Sequence, residues 1–374
     1  MKILRFDRQL LVNFDWVMFI AVLLIAAMGL VNLYSATYAG RMLGTPVFIR
    51  QLYFVLAGFS FIIIIHLFDY RLLLSWNYPF YIFVILLLLS ALILGSSIAG
   101  TQRWINLGFF RLQPSEPAKL MLVISLASYY SRKDTGQGFG LSELIMPICL
   151  TLVPFLLVLK QPDLGTALMF AFIFISMTLF VKLRWSTLGV LAGVCGAAIP
   201  IGWKFFLKPY QRQRIETFLN PESDPTNSGY HIMQSKIAVG GGLKFGKGYL
   251  KGTQGHLHFL PERHTDFAFA VWAEEWGFAG SLFFLAIYFF MILWGLNVCL
   301  SSRDKFGVLL AFGIVTLLFW QAIINLLMVM GFLPVVGIPL PLFSYGGSSL
   351  MTTMIGLGIL MNIRMRRGQV RMDQ

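Results

Sequence analysis

The chain has 374 residues, of which 57% are hydrophobic and 12% charged, where a soluble domain carries roughly 25% charged residues. That composition excludes a soluble globule with one greasy helix and points to a polytopic membrane protein. The formal net charge of +13 suits both the basic bias of cytoplasmic loops and attraction to an anionic, phosphate-bearing lipid, while the scatter of Lys and Arg over many loops argues against nucleic acid.

Ten apolar segments are predicted to span a bilayer, each near the 20 or so residues a crossing needs. They lie near 16–35, 51–67, 76–96, 118–131, 143–160, 165–182, 186–206, 267–299, 306–330 and 346–363. The first follows Lys2, Arg5 and Arg8, but it is too long for a signal peptide and lacks an obvious small-residue cleavage site. It therefore reads as a retained span. The fourth is short. The eighth holds Glu274, Glu275 and Gly277, so it is expected to bend or to emerge from the bilayer at its start.

The short loops orient the chain. Lys2, Arg5 and Arg8 precede span one, Arg71 follows two, Arg132 and Lys133 follow four, Lys182 and Arg184 follow six, Arg303 and Lys305 follow eight, and Arg364, Arg366, Arg367 and Arg371 follow ten. With ten spans these share one side, which is cytoplasmic, and both termini lie there. The opposite short loops hold fewer basic residues, among them Arg41, Arg50, Arg103, Arg111 and Lys160. The fold expectation is thus an all-α polytopic membrane protein, one integral domain over 1–374, with a large extracytoplasmic loop of about 207–266 between helices seven and eight. Phe218, Tyr230, Ile232, Phe245 and Tyr249 in that loop argue against plain disorder, and short helices on the membrane surface are expected. Cys149, Cys195 and Cys299 fall in apolar runs without CxxC spacing, and read as small buried hydrophobes with no disulfide or metal role.

Four polar clusters fall on the outer side. In the first, Arg103 and Asn106 run on to Gln113-Pro-Ser-Glu116-Pro-Ala-Lys119. Ser115 can cap a helix there, with Pro117 in its first turn. Glu116 and Lys119, three residues apart, share a face at membrane depth, where an ion pair signals function. The second is Lys160-Gln-Pro-Asp163-Leu-Gly-Thr166, where Asp163 alone reads as an ordinary N-cap. The third ends the large loop at Leu260-Pro-Glu-Arg263-His264-Thr-Asp266. Earlier in it, Gly241 to Lys247 has P-loop spacing but no following Ser or Thr and no preceding strand. It is rejected as a nucleotide site, and its glycines are expected to let backbone amides approach the membrane surface or an anion. His256, His258 and His264 lack a metal-ligand pattern. The fourth is Pro339-Leu-Pro-Leu-Phe-Ser344-Tyr345-Gly-Gly-Ser-Ser349, whose irregular backbone at membrane depth is tolerated only beside a polar cavity. Together they predict an outward-facing cavity holding Glu116, Lys119, Asp163, Asp266 and the Ser-Tyr-Gly-Gly turn, with carboxylates that burial can tune.

In family order, Gln113 to Lys119, Gln161 to Thr166, Gly246-Lys-Gly with Gly252-Thr-Gln254, Leu260 to Phe267 and Ser344 to Ser349 resemble the SEDS family (shape, elongation, division and sporulation) over nearly the whole chain. Arg263 and the compact tails resemble its elongation branch more than its division branch. Trp276 departs from the pattern, where Leu is more usual. The resemblance implies a peptidoglycan glycosyltransferase of the bacterial cytoplasmic (inner) membrane, polymerising lipid II on the outer face. It implies Asp266 as catalytic residue, with Glu116 and Lys119 mapped from the Pro-Ser-Glu-Pro-Ala-Lys motif and Asp163 from Gln-Pro-Asp. It further implies a class B penicillin-binding protein, a transpeptidase, as partner, beside other elongation-complex proteins and membrane lipid. Arg103, Gln113, Asp163, Arg263, His264, Ser344 and Tyr345 are the candidate substrate-binding residues. Lys119, Arg103 and Arg263 are candidates to stabilise the pyrophosphate. A divalent cation, Mg2+ or Mn2+, is left open, and no cofactor is otherwise expected. The rival readings are a lipid II flippase and a non-catalytic scaffold for wall synthesis.

Overall fold

In a computed structural model the described residues are 13–38, 44–98, 101–106, 108, 110–133, 136, 138–201, 204, 209–220, 222, 224, 228–256 and 262–367. Lys2, Arg5, Arg8, Arg41, His258, Leu260 and Arg371 lie outside them, as do the side chains of Cys195 and His256. Helices stand at all ten expected segments: α1 (Trp16–Tyr38), α2 (Gly44–Leu67), α3 (Leu72–Leu94), α4 (Ser115–Arg132), α5 (Leu141–Lys160), α6 (Leu164–Phe180), α7 (Trp185–Ile201), α11 (Ala268–Ser301), α12 (Lys305–Val329) and α13 (Gly347–Met365). Six of these (α1, α2, α3, α5, α11 and α12) are long and apolar enough to cross a membrane. In the large loop stand α8 (Pro209–Leu219), α9 (Ser228–Gly241) and the single turn α10 (Thr253–His256).

α12 is the central post, and most of its residues are buried. It packs on α4, α6 and α11, while α13 packs on α2, and α1 on α11 and α2. α4 is almost wholly buried, so neighbouring helices shield the polar residues that made its apolar run look short. Buried amides hold the joints. Asn362 donates to Ile65 O and Phe68 O at 2.9 and 2.8 Å, and Asn32 to Ala268 O at 2.9 Å. Ile65 O and Phe68 O lie at the C-terminal end of α2, where carbonyls lack an intrahelical donor and water is scarce.

The architecture is helical as expected, with one small addition that the sequence did not suggest: β1 (Ser96–Ile98), β2 (Thr101–Asn106) and β3 (Arg111–Leu112) form an antiparallel sheet in the order β1-β2-β3. Ile98, Thr101 and Ile105 are its β-branched residues, and Gly95 ends the preceding helix. Cys149, expected to be buried, is exposed on α5, whereas Cys299 is buried as expected.

The predicted bend of the eighth segment is present. Gly277 breaks α11 with φ 65° and ψ −162°, a conformation open essentially to glycine alone. The break frees backbone groups that the glycine-rich loop takes up. Lys247 N donates to Glu274 O and Gly248 N to Glu275 O, each at 3.0 Å, while Phe278 N and Ala279 N donate to Leu243 O and Lys244 O at 2.8 and 3.0 Å. A Cβ on Gly242 would stand 2.0 Å from Ala273 O, and one on Gly246 2.1 Å from Glu275 O. These glycines therefore admit backbone to backbone, not to an anion as the sequence suggested. Glu274 fastens the same joint, accepting from Lys247 Nζ at 2.7 Å and from Thr253 N at 2.8 Å. α9 packs on α11 and α12, with Ser235 Oγ donating to Val329 O at 2.6 Å. Gly277→Ala is expected to lose about 3 kcal/mol or more of stability, because its Cβ would lie 2.2 Å from Gly246 N. The check is the thermal midpoint of the purified protein, and an unchanged midpoint would contradict the wedge.

Candidate active site

The tight turn over Glu262–Phe267 carries the chain from the large loop into α11. Thr265 N and Phe267 N both donate to Glu262 O at 3.2 Å, so the turn closes on itself and turns Asp266 toward α12. Its main chain is fixed from below. Asn325, fully buried in α12, donates through Nδ2 to Asp266 O at 2.9 Å and to Ile338 O at 2.7 Å. One amide thereby ties the Asp266 turn to the Pro-rich segment before α13. Gly337 stands beside the carboxyl with φ 74°, and a Cβ there would come within 3.5 Å of Asp266 Oδ2.

The carboxyl of Asp266 is pushed up to about 7. Burial is the largest cause, and Glu262 and Asp163 add to it, while Arg103 and Arg214 pull the other way. Part of the residue's surface remains accessible, so the group is surrounded by protein and still reachable. A carboxyl with these properties is half ionised near neutral pH, the condition in which it can both take and release a proton.

Asp163 and Arg103 form the flank. Asp163 caps α6, its Oδ1 accepting from Thr166 N at 3.1 Å, and its Oδ2 lies 3.3 Å from Arg103 Nη1. Arg103 also donates to Gln161 O at 3.3 Å and to Pro162 O. The small sheet thus delivers Arg103 onto the turn before α6. Asp163 is both the N-cap and an ion-pair member.

The fourth cluster closes the other side. Tyr345 N donates to His264 O at 2.9 Å, and their rings lie 5.9 Å apart. Burial pushes His264 below its usual value, so its ring is neutral at pH 7; burial also lowers Arg263, without removing its charge. Ser344 is buried and its Oγ accepts from Leu340 N at 3.1 Å, so this hydroxyl holds the turn. Gln51 clamps the same turn, donating to Ser344 O and accepting from Gly346 N, both at 3.3 Å. Gln113 N donates to Ser348 Oγ at 3.0 Å, which straps the start of α4 to α13.

Glu116 and Lys119 do not open into an outward cavity as expected. Their side chains are 4% and 2% exposed, and Lys119 Nζ lies 2.8 Å from Glu116 Oε1. A charge at membrane depth is tolerated when paired, and the pair is closed on itself inside α4. Asp163 is likewise buried, at 3%. Ser115 is the first residue of α4, not its cap. The cap position is Pro114, and the Ser115 hydroxyl has no hydrogen-bond partner. What the structure gathers around Asp266 is Glu262, Asp163, Arg103 and Arg214, with His264 and Tyr345 adjoining.

Sequence reading passed over Arg214, Asn325, Gly337, Gln51 and Ser348 as individual residues. Asn325 carried a signal, an amide inside an apolar run. Arg214, on α8, carried none. Among the described residues no three His, Cys, Asp or Glu side chains gather as a metal site; the charges that act on Asp266 are two carboxylates and two arginines.

A family model described as cell cycle protein, FtsW/RodA/SpoVE, matches residues 15–369. The chain is 44% identical to peptidoglycan glycosyltransferase MrdB of Escherichia coli K12 over 300 residues, covering 78% of this chain and 79% of that protein. Among solved structures it superposes with a TM-score of 0.82 and 32% identity on a chain of a peptidoglycan synthase complex that coordinates polymerization and crosslinking, covering 96% of this chain and 99% of that one. The rod shape determining protein RodA of Thermus thermophilus gives a TM-score of 0.70 and 29% identity, covering 96% of this chain and 98% of that one.

Proposed function

This chain belongs to the FtsW/RodA/SpoVE family of cell cycle proteins, and from that premise we infer that it is a peptidoglycan glycosyltransferase that polymerises lipid II into glycan strands. The enzyme crosses the bacterial cytoplasmic membrane ten times as one integral unit, with both termini in the cytoplasm. Its reaction takes place at the outer end of the bundle, where Asp266 stands.

The observation that carries this reading is the Asp266 carboxyl, reachable, tuned to about 7 and flanked by Arg103 and Arg214. A sugar hydroxyl is a poor nucleophile at neutral pH, and a carboxylate beside it can take its proton as the new bond forms. Asp266 accepts the proton of the acceptor 4-hydroxyl while that oxygen attacks the anomeric carbon of the donor. The bond from this carbon to the pyrophosphate oxygen breaks, and the electron pair leaves on undecaprenyl pyrophosphate. An α-linked donor and a β-linked polymer require inversion, so one base suffices and no covalent glycosyl intermediate forms. Arg103, Arg214 and Arg263 supply cationic stabilisation to the leaving group. His264 and Tyr345 border the sugar. Glu116, Lys119 and Gln113 act as positioning residues through the strap to Ser348.

The partner is a class B penicillin-binding protein that crosslinks the new glycan. The relative that forms a synthase complex coordinating polymerization and crosslinking supports this assignment. The likeness to RodA and Arg263 in the loop motif support a role in elongation rather than division.

The direct test is product. Purified protein given lipid II, with and without the transpeptidase partner, is expected to yield glycan polymer. Lipid that is carried across a vesicle membrane unaltered would establish a flippase instead. A second expectation concerns pH. The ionised base is the active form, so kcat/KM rises with pH through about 7. Glu262 holds the Asp266 value up, so Glu262→Gln moves the ascending limb to lower pH. A profile that stays in place in this variant would detach the limb from Asp266.

A further inference from the structure

The end of the bundle remote from Asp266 carries a second built feature. Lys305 opens α12, and Asn325, which holds Asp266 O, stands twenty residues further along it. At 1.5 Å per residue that is about 30 Å, the thickness of a bilayer's hydrocarbon core.

At that far end a cavity of about 610 Å³ lies between the α2–α3 turn, the end of α4 and the α11–α12 loop. Its lining brings four cationic side chains, Arg71, Arg132, Arg303 and Lys305, against two carboxylates, Asp69 and Asp304. The carboxylates already have structural employment. Asp304 caps α12 by accepting from Gly307 N at 2.9 Å and also accepts from the Tyr70 hydroxyl, while Arg71 lies 3.8 Å from each carboxylate and Arg366 3.7 Å from Asp69. Arg132 is anchored by a 2.6 Å bond to Leu74 O and stacks over Tyr78, which fixes its guanidinium at the rim. Arg303 is exposed.

A second cavity, about 420 Å³ and almost wholly apolar, adjoins it and shares Asp69 and Leu72 in its lining. It runs along α3 past Trp76 and Phe80 and is backed by Ile355 and Ile359 of α13. Trp76 and Phe80 are 56% and 44% exposed, so this groove opens to the surface that faces lipid tails. A basic pocket joined to a lipid-facing apolar groove is complementary to one kind of molecule. We propose that these two cavities together form a binding site for an anionic glycerophospholipid, its phosphodiester among Arg132, Arg303 and Lys305 and one acyl chain along Leu72, Trp76 and Phe80. Basic pockets between transmembrane helices recognise anionic head groups in this way. The site rests on the bundle crossing a bilayer and not on the reaction at the other end.

The test is native mass spectrometry of the full chain in detergent, with phosphatidylglycerol or phosphatidylcholine of matched acyl chains added. Wild-type protein is expected to retain phosphatidylglycerol in preference to phosphatidylcholine. The double variant Arg132→Gln, Arg303→Gln is expected to retain it about thirtyfold more weakly, the change two cations near an anionic surface bring. Arg132→Lys with Arg303→Lys keeps the charges and is expected to keep most of the preference. Equal retention of the two lipids by wild-type protein, a comparison that needs no variant, would overturn the proposal. So would full displacement of phosphatidylglycerol by millimolar glycerol phosphate, since the apolar groove would then add nothing.

Discussion

Asp266→Asn polymerises lipid II about 100- to 10,000-fold more slowly than the wild-type chain, the range that loss of a positioned general base produces. The substitution keeps the side chain's size and leaves the bond from Asn325 to the residue 266 carbonyl in place, because that bond is to the main chain. The variant therefore inserts, folds and binds its partner, and the loss falls on kcat. The change in stability has a definite sign. The folded state holds the Asp266 proton more tightly than the unfolded chain, with a value of about 7 against 3.8. Stability present below the unfolded value is lost as pH rises through the folded one. Removing the group relieves this penalty, so the thermal midpoint of Asp266→Asn rises relative to wild type as pH goes from 3.8 to about 7, the two values between which the penalty accumulates, and the difference is level above that. Two readouts, polymer yield by gel and midpoint against pH, thus move in opposite directions. Near-normal polymer from the variant would refute the base assignment. A midpoint difference that shrinks with rising pH would refute the buried, raised carboxyl.

The ten helical segments were legible because the apolar runs that bound them depend on local composition alone. Asp266 was legible too, as a carboxyl at the mouth of an apolar run. Its surroundings were not. Arg214 and Asn325 meet Asp266 from parts of the chain far apart in sequence, and no spacing rule predicts such a meeting. The glycines at 242 and 246 illustrate another gap: their need for close approach was readable, but their partner, the broken backbone of α11 at Gly277, was not. Burial misled at α4. The Glu-x-x-Lys spacing correctly gave one face and an ion pair, but a helix enclosed on every side presents that face to the interior. The sheet was missed because segments of two to six residues leave little periodic signal against helices of twenty.

Lys119→Met is the second large effect, and it falls first on the fold. It leaves the Glu116 carboxylate buried without its 2.8 Å partner, and breaking one side of a buried pair costs about 3–5 kcal/mol. Replacing both, as Glu116→Gln with Lys119→Met, removes the isolated charge, so the double variant is expected to recover most of the stability the single one loses. Stability and catalysis then separate. The pair stands at the start of α4, three and six residues after Gln113, whose backbone N–H is strapped to Ser348, three residues past Tyr345. If the pair positions that strap, the refolded double variant still turns over slowly, with kcat reduced at least tenfold and KM little changed, because substrate is bound but held loosely against Asp266. Thermal midpoints of the three proteins and turnover per folded molecule decide the matter. A double variant with both wild-type stability and wild-type kcat would reduce Glu116 and Lys119 to elements of the helix core, and a double variant no more stable than the single one would show that the buried charge is not what the pair neutralises.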